Sequence, residues 1–303
     1  MSDGAGGARA APRPAVGRHP APKTVGREGF ARRAAHFSAR NRNLLERRLF
    51  WSVLGRAARM RLSGARAEPA LQRFVVCHHK GMTTYFSPVL QILSLALSGR
   101  FAKIPRDLGE SEGRDFILYL QGGVDFARLG AYRGVHVLRD PRDMIVSGYH
   151  YHQWCDERWA HRPDDAGRSY QQKLREASKE DGLFMEIDLF AHMNAEKLRA
   201  WPLGDPDLLE VSYETLMGPE REAAYGRIFD HLRLDGEAGR LGRDLMRLFE
   251  AGRRRGRRAG AVSERAHLRS GRSGQWREEL SEAHIRYINE TLGDVLEKFG
   301  YAP

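Results

Sequence analysis

The chain has 303 residues, a formal net charge of +11 and two cysteines. This length suffices for one large α/β domain or two small ones. Two cysteines are too few for a disulfide scaffold, their spacing does not indicate zinc, and no apolar stretch approaches the length of a transmembrane helix. The N-terminus also lacks the apolar core of a signal peptide. We therefore expect free thiols and a cytoplasmic location.

The positive charge is concentrated near the N-terminus. Residues 1–69 contain fifteen Lys/Arg and four Asp/Glu, whereas residues 70–303 contain thirty-five of each sign. Residues 1–35, rich in Ala, Gly, Pro and Arg, are predicted to be a disordered basic arm. Residues 36–69 are predicted to hold a basic amphipathic helix, which could dock on the following domain, make weak contact with an anionic membrane or contact nucleic acid. The remaining 70–303 form the predicted main domain.

The first informative motif is an apolar strand, a basic hydroxyl-rich turn and an apolar helix. The strand is Phe74–Cys77, the turn reads His-His-Lys-Gly-Met-Thr-Thr over 78–84, and the helix follows from about Tyr85. Unpaired N–H groups and the helix dipole favour an anion at such a turn. The groups that would bind it are the Lys80 ammonium, the Gly81 backbone and the hydroxyls of Thr83 and Thr84. The lysine precedes the glycine, unlike in a P-loop, which argues against an ordinary ATPase or kinase.

The second motif has the same architecture. A predicted strand at Val135–Leu138 is followed by Arg-Asp-Pro-Arg-Asp at 139–143. Arg139 lies at the carboxyl end of this strand, where ligands bind in parallel α/β sheets. Asp143 is predicted to cap a helix that begins near Met144. Ser147 lies on that helix, at a spacing that could direct its hydroxyl to the same anion as Arg139.

Two shorter motifs follow in the C-terminal half. Tyr213-Glu214 comes directly after an apolar strand at 208–211. The sequence Gly-Arg-Ser-Gly-Gln-Trp occupies 271–276. Between the second and third motifs, residues 154–199 form a mixed aromatic loop and helix that look like an insertion.

In this order, the four motifs resemble those of sulfotransferases that use 3′-phosphoadenosine-5′-phosphosulfate (PAPS), over about residues 73–300. The resemblance implies an α/β, three-layer P-loop-like fold with a central, mostly parallel sheet flanked by helices. It implies in-line, metal-independent transfer of a sulfuryl group from PAPS to a hydroxyl or amine. The product would be 3′-phosphoadenosine-5′-phosphate (PAP), the acceptor a small molecule or glycan recognised by the insertion. No nucleic-acid partner is then expected.

The resemblance also assigns roles to individual residues. In that family a lysine followed by small and hydroxyl residues binds the 5′-phosphosulfate, which corresponds here to Lys80, Gly81, Met82, Thr83 and Thr84. The 3′-phosphate would be bound by Arg139, Ser147, Arg269 and Gly271. Tyr85 occupies the family's aromatic position for stacking on adenine, and Tyr213 and Phe249 are further candidates for the adenine pocket.

Three departures from the family pattern affect these roles. The glycine of the first motif is displaced by one residue, so Met82 has to adopt a loop conformation that glycine enters more easily. Ser270 stands where family members often have lysine. The cytosolic branch has a histidine base on the strand between the phosphate motifs, but here Phe116–Leu120 is followed by Gln121.

The general base must therefore come from elsewhere. Asp125, a few residues after Gln121, is the first candidate. His150 and His79 are the next, and Glu110 and Glu112 are also possible. A different class of function stays open: a non-catalytic nucleotide- or nucleic-acid-binding protein that acts through its basic arm. The pair of phosphate motifs favours the enzyme.

Overall fold

The computed structural model of the protein describes residues 48–104, 111–254 and 272–302. Several predictions therefore concern residues outside these ranges, namely those for the basic arm at 1–35 and for Glu110, Arg269 and Gly271.

The described residues build a five-stranded sheet in which every strand pairing is parallel. The strands are β1 (Gln72–Cys77), β2 (Phe101–Ile104), β3 (Phe116–Leu120), β4 (Tyr132–Leu138) and β5 (Leu208–Ser212), in the spatial order β2-β3-β1-β4-β5. Strands β2 and β3 lie on one side of β1, and strands β4 and β5 lie on the other side. The carboxyl ends of β1 and β4 thus flank the point where the strand order reverses, the usual ligand crevice of such sheets.

Helices cover both faces of the sheet. They are α1 (Arg48–Leu62), α2 (Thr83–Ala96), α3 (Pro141–His152), α4 (Tyr170–Glu176), α5 (Lys179–Phe190), α6 (Glu196–Ala200), α7 (Tyr213–Met217), α8 (Arg221–His231), α9 (Gly236–Arg254), α10 (Trp276–Glu279) and α11 (Glu282–Lys298). A π-helical turn at Ala191–Ala195 joins α5 to α6. One layer contains α1, α2 and α9, and the other contains α3, α5, α6 and α11. The predicted three-layer α/β fold is confirmed.

Both faces of the central strands are apolar because both are covered by helices. Five consecutive residues of β1, from Arg73 to Cys77, are completely buried. One cluster packs α3, α5 and α11 against the end of β4, and a second packs Trp201 and Phe126 onto Phe74. This packing fixes the strand ends that precede the turns at 78–82 and 139–140.

The predicted amphipathic helix is present as α1. Its buried residues Phe50, Val53, Ala57 and Met60 recur at helical spacing and face α2 and α9, while Trp51 is 60% exposed. In the described part of the chain, no helix has both the length and the apolar character needed to cross a membrane. The two cysteines, Cys77 and Cys155, are free and buried.

Candidate active site

The turn between β1 and α2 has an unusual backbone. Lys80 and Met82 adopt positive φ angles of 63° and 71°, a region in which non-glycine residues are uncommon. The conformation predicted for Met82 is therefore observed. Gly81 donates its N–H to the His78 carbonyl (2.8 Å), and a Cβ at Gly81 would lie 3.0 Å from that oxygen. Met82 is the N-cap of α2 and provides no side-chain cap, so this helix begins with its positive end directed at the turn.

Lys80 is held in a partly buried position. Its Nζ lies 3.8 Å from the centre of the Tyr151 ring, a cation–π contact made to α3. Burial and, to a smaller extent, the neighbouring Arg139 together lower the pKa of Lys80 from 10.5 to about 8. Glu157 and Glu186 act in the opposite direction but do not restore the ordinary value. The free site thus contains a cation that a bound anion would stabilise.

Arg139 is the second cation at this edge of the sheet. It is only 5% exposed, and its guanidinium lies 4.5 Å from the centre of the Tyr213 ring. Its Nη2 donates to the Arg272 carbonyl (3.2 Å) and lies 3.6 Å from Asp143 Oδ2. Its Nε is buried and has no hydrogen-bond partner among the described residues. The guanidinium is therefore oriented by its neighbours without being fully neutralised.

The two C-terminal motifs, at 213–214 and 271–276, contact the second motif, at 139–143. Asp143 accepts hydrogen bonds from the backbone N–H of Gly274 (2.7 Å) and Trp276 (3.1 Å). Glu214 accepts one from the backbone N–H of Asp140 (3.3 Å). Motifs that are up to 133 residues apart in sequence are thereby joined around Arg139.

The start of α3 differs from the prediction. The helix begins at Pro141, and Asp140 caps it by accepting from the Arg142 N–H (2.9 Å). Asp143, predicted to be the cap near Met144, lies instead in the first turn and binds the loop that contains Gly274. Proline at the first helical position, preceded by Asp, is the normal start signal, and it accounts for the earlier helix start.

A buried hydrogen-bond network begins at His79, beside Lys80. His79 Nε2 lies 3.0 Å from His152 Nε2, and His152 Nδ1 lies 2.7 Å from Glu186 Oε1. Tyr170 donates its hydroxyl to the same Glu186 oxygen (2.8 Å). His152 and Glu186 are each 2% exposed, so this network connects the turn between β1 and α2 to the interior between α3 and α5.

A similar network begins at His78. His78 Nε2 lies 2.9 Å from His136 Nε2, and His136 Nδ1 lies 2.6 Å from Glu210 Oε2. Trp201 donates its indole N–H to Glu210 (2.7 Å). Burial, followed by the nearby His136, lowers the pKa of His78 to about 3. This second network is neutral at His78 and holds the strand end in place beneath the turn.

A sequence profile described as the sulfotransferase domain matches residues 130–300, which is more than half of the chain. The chain belongs to the sulfotransferase family. The match includes Arg139, Tyr213 and the 272–276 loop, while Lys80 lies before it.

Comparison with curated protein sequences gives no match. Among solved structures, the chain is similar to mouse sulfotransferase SULT7A1 complexed with PAP, with 14% identity and a TM-score of 0.49, over 78% of this chain and 89% of that one. It is also similar to retinol dehydratase in complex with androsterone and the inactive cofactor PAP, with 16% identity and a TM-score of 0.46, over 81% of this chain and 85% of that one.

Three residues with predicted donor-site roles lie in the first two turns of helices in this sulfotransferase. Thr83 and Thr84 are the first two residues of α2, the first partly buried and the second exposed. Ser147 lies in the second turn of α3 and is partly exposed. All three are placed on the helices that follow β1 and β4, and their phosphate contacts remain predictions.

The structure argues against the stacking role predicted for Tyr85. Its ring is 1% exposed, and its hydroxyl donates to the Met246 carbonyl (2.7 Å) and lies 2.9 Å from the Tyr225 hydroxyl. A ring packed on all sides in the core has no free face for a base. Phe249 is likewise buried, at 5% exposure, on α9. Tyr213 stays at the site, but its ring contacts the Arg139 guanidinium.

The structure also argues against Asp125 as the general base. Asp125 caps a short 3₁₀ helix by accepting from the Ala127 N–H (3.2 Å), and it pairs with Arg128 (3.1 Å) on the surface. The adjacent Phe126 packs on Tyr132, the first residue of β4, at the end of that strand opposite to Arg139. This carboxylate therefore belongs to a solvated cap, away from the phosphate motifs.

The other candidate bases lie in different parts of the fold. His150 Nε2 lies 2.9 Å from Glu279 Oε2, which also pairs with Lys179 (3.1 Å), so His150 faces α10 in an ion-pair cluster. Glu112 is exposed next to Ser111, whose carbonyl accepts from Gln72 at the amino end of β1. His79 alone among the described candidates is adjacent to Lys80 in the turn.

Sequence reasoning gave no role to Tyr151 and Glu186, and it did not distinguish His152 from His150. The run Tyr-His-Tyr-His at 149–152 was a visible signal. Its two histidines lie two positions apart on a helix and therefore face different neighbours. Only the packing of α5 against α3 shows that His152 faces Glu186 and that His150 does not.

Proposed function

We propose that this sulfotransferase moves a sulfuryl group from PAPS to the hydroxyl or amine of a small-molecule or glycan acceptor. The observation that carries the proposal is the pair of cations at adjacent strand ends. Lys80 follows β1 and Arg139 follows β4, and the two are close enough for Arg139 to lower the pKa of Lys80. Two cations held together in a partly desolvated site are stabilised when an anion binds to both.

The residues present fit a nucleotide with two separate phosphate groups. In this proposal Lys80, the start of α2 and the hydroxyls of Thr83 and Thr84 bind the 5′-phosphosulfate. Arg139 binds the 3′-phosphate, and this is supported by its buried Nε, which has no hydrogen-bond partner among the described residues. The ammonium, guanidinium and backbone N–H groups of this set have no acceptor function and so recognise an anion, to which the threonine hydroxyls can also donate.

These residues also suit the chemistry of sulfuryl transfer. When the bond between sulfur and the 5′-phosphate oxygen breaks, negative charge develops on that oxygen. Lys80 would stabilise this charge, and Arg139 would hold the nucleotide in one register. The transferred group carries a single negative charge, so we propose a reaction without a metal ion, unlike most phosphoryl transfer.

We further propose that the acceptor binds on the side of 154–199 and that the enzyme acts in the cytoplasm. Both Cys77 and Cys155 are free thiols, which supports a reducing compartment. The aromatic loop that contains Trp154 and Trp159 leads from α3 toward the histidine network, so this segment adjoins the turn that contains Lys80.

The test is a calorimetric titration with PAP, without magnesium, on the wild type, Arg139→Ala and Arg199→Ala. The control removes the same charge from an exposed arginine that pairs with Asp294 on α11. A hydrogen bond to a charged group contributes about 1.5–3 kcal/mol, so Arg139→Ala should weaken PAP binding roughly 10- to 100-fold while Arg199→Ala has no effect. Adenosine 5′-monophosphate, which lacks the 3′-phosphate, should bind the wild type and Arg139→Ala equally. Absence of PAP binding to the wild type would refute the proposal.

A further inference from the structure

A pocket adjoins the turn between β1 and α2, on the side of α3 and α5. Five apolar side chains from α3, α5 and the π-helical turn form most of its wall. His79, His152, Glu186 and Asn194 provide its polar groups. A π-helical turn inside a longer helix is frequently found at functional sites. The pocket therefore combines an apolar surface with a histidine located one residue before Lys80.

The polar groups of this pocket are connected in a line. The His79 and His152 rings are nearly coplanar, with an interplanar angle of 13° and centroids 5.1 Å apart, as expected for an in-plane hydrogen bond between their Nε2 atoms at 3.0 Å. Glu186 accepts at Oε1 from both His152 Nδ1 and the Tyr170 hydroxyl. Burial and the neighbouring Glu186 raise the pKa of Tyr170, so its hydroxyl stays a donor. The carboxylate is thus fixed as the acceptor at the inner end.

We propose, on the basis of the function proposed above, that His79 is the general base for the acceptor and that His152 and Glu186 position it and take up its proton. The carboxylate orients His152 with a proton on Nδ1, which leaves Nε2 as an acceptor for the Nε2–H of His79. His79 then receives the acceptor's proton on its other ring nitrogen, as a histidine oriented by a carboxylate does in other enzymes.

The step balances as follows. The acceptor oxygen forms a bond to sulfur while the bond between sulfur and the 5′-phosphate oxygen breaks, and the electron pair of that bond leaves with PAP. The acceptor's proton moves to His79. The proton between His79 and His152 can shift to His152, where Glu186 stabilises the resulting imidazolium. After the product has left, the proton returns to solvent through His79.

A glycine on α3 makes room for the proton relay formed by His79, His152 and Glu186. Gly148 lies opposite Glu186 on α3, and a Cβ at this position would lie 2.6 Å from Glu186 Oε2. Glycine in the middle of a helix is destabilising relative to alanine. At position 148 it makes room for the carboxylate that orients His152.

His78 is not an alternative to His79. It is 1% exposed, and its lowered pKa of about 3 makes it a very weak base near neutral pH. Its ring contacts His136 and Asn194. Asn194 lines the pocket, but His78 itself is not among the residues that line it. Its network supports the strand end, whereas the network of His79 opens to the pocket.

The test compares two acceptors that differ in acidity, with PAPS as donor in mildly alkaline buffer. Phenol has a pKa near that of tyrosine, about 10, and must lose a proton during the reaction. p-Nitrophenol is largely ionised in this buffer and needs no base. His79→Gln should lower phenol sulfation by about 100-fold or more, and p-nitrophenol sulfation by less than a tenth of that factor. Equal losses with the two acceptors, or no loss with phenol, would refute the role of His79.

Two further variants and a control test the positioning residues. Glu186→Gln should lower kcat for phenol with little change in KM, and Glu186→Asp should recover part of the loss. His150→Gln, the same change two residues before His152, should leave both acceptors unaffected. PAP titration of each variant separates the two proposals. If PAP binds but His79→Gln lowers the sulfation of phenol and of p-nitrophenol equally, only the proposed role of His79 fails. If the wild type does not bind PAP, the proposed function fails.

Nitrogen-15 NMR of the histidine rings tests the relay without any acceptor. The wild type should show one proton shared between His79 and His152 and a second between His152 Nδ1 and Glu186. Glu186→Gln should shift the second and His79→Gln should abolish the first. A ring of His152 with no proton on Nδ1 would overturn the proposal even if neither phenol is a substrate.

Discussion

Binding of PAP should bring a proton onto Lys80 when the pH is above about 8. In the free protein, burial and Arg139 lower the pKa of Lys80 from 10.5 to about 8. Each pH unit of this change corresponds to about 1.4 kcal/mol, so the charged form is disfavoured by roughly 3 kcal/mol in the free site. A bound 5′-phosphate would offset this cost and return the pKa toward its ordinary value.

The sign and pH range follow from these two pKa values. Below about pH 8, Lys80 is charged in both the free and the bound protein, so no proton is taken up. At pH 9 it is only about one-tenth charged when free and almost fully charged when bound, so binding should take up about 0.9 proton. Between pH 8 and 10.5 the Kd should rise about tenfold per pH unit. From this residue alone, the ligand-free protein becomes more stable as the pH rises through the same range, because the unfolded chain then binds more protons.

The assay is calorimetry in two buffers of different ionisation enthalpy, at pH 6.5 and pH 9. Lys80→Arg is the matched control, because a guanidinium stays charged throughout this range and takes up no proton. Subtracting its proton uptake also removes the titration of the PAP phosphates, whose second pKa is about 6. Uptake by the wild type at pH 9 that does not exceed the uptake by Lys80→Arg would refute the reasoning.

Two other predictions follow from buried hydrogen bonds. Tyr85→Phe should lower the free energy of unfolding by about 1–2 kcal/mol, because the Met246 carbonyl loses its donor in the core, and it should leave the Kd for PAP unchanged; denaturant unfolding without any loss of stability would contradict the core placement. Asp143→Ala removes the acceptor for two backbone N–H groups of the 272–276 loop, so PAP binding should weaken about tenfold. An unaltered PAP titration curve for Asp143→Ala would show that this loop is held by other contacts.

The two strand–turn–helix motifs could be predicted from the sequence because each one is local. A strand end, a turn and a helix start lie within about a dozen residues, and their parallel pairing brings Lys80 and Arg139 to one edge. The predicted conformation of Met82 followed from a local argument too, since displacement of the glycine by one position leaves a side chain in the left-handed region. The earlier start of α3 was also accessible, because Asp140 precedes a proline at the first helical position.

The remaining features depend on contacts between distant segments. Tyr85 is a core residue because Met246, 161 residues later, accepts from its hydroxyl. His152 faces Glu186 because α5 packs on α3, and no spacing within α3 distinguishes it from His150. Asp125 resembled a base because of its position after β3. The connection from β3 to β4 instead places it near the amino end of β4, opposite to Arg139. Each error concerns where a side chain points after packing, which periodicity alone does not determine.

The two cations of the site differ in how they are compensated, and this difference suits transfer of a charged group. Arg139 has a carboxylate 3.6 Å away, a ring beneath it and a carbonyl at its Nη2, so it is charged and oriented before the ligand binds. Lys80 has a ring at 3.8 Å and a pKa of about 8, so its charge becomes more favourable as negative charge gathers beside it. An interaction that strengthens as the leaving oxygen gains charge lowers the barrier, whereas uniform binding does not. In the proposed reaction, Arg139 therefore contributes mainly to nucleotide affinity, and Lys80 to the rate of transfer.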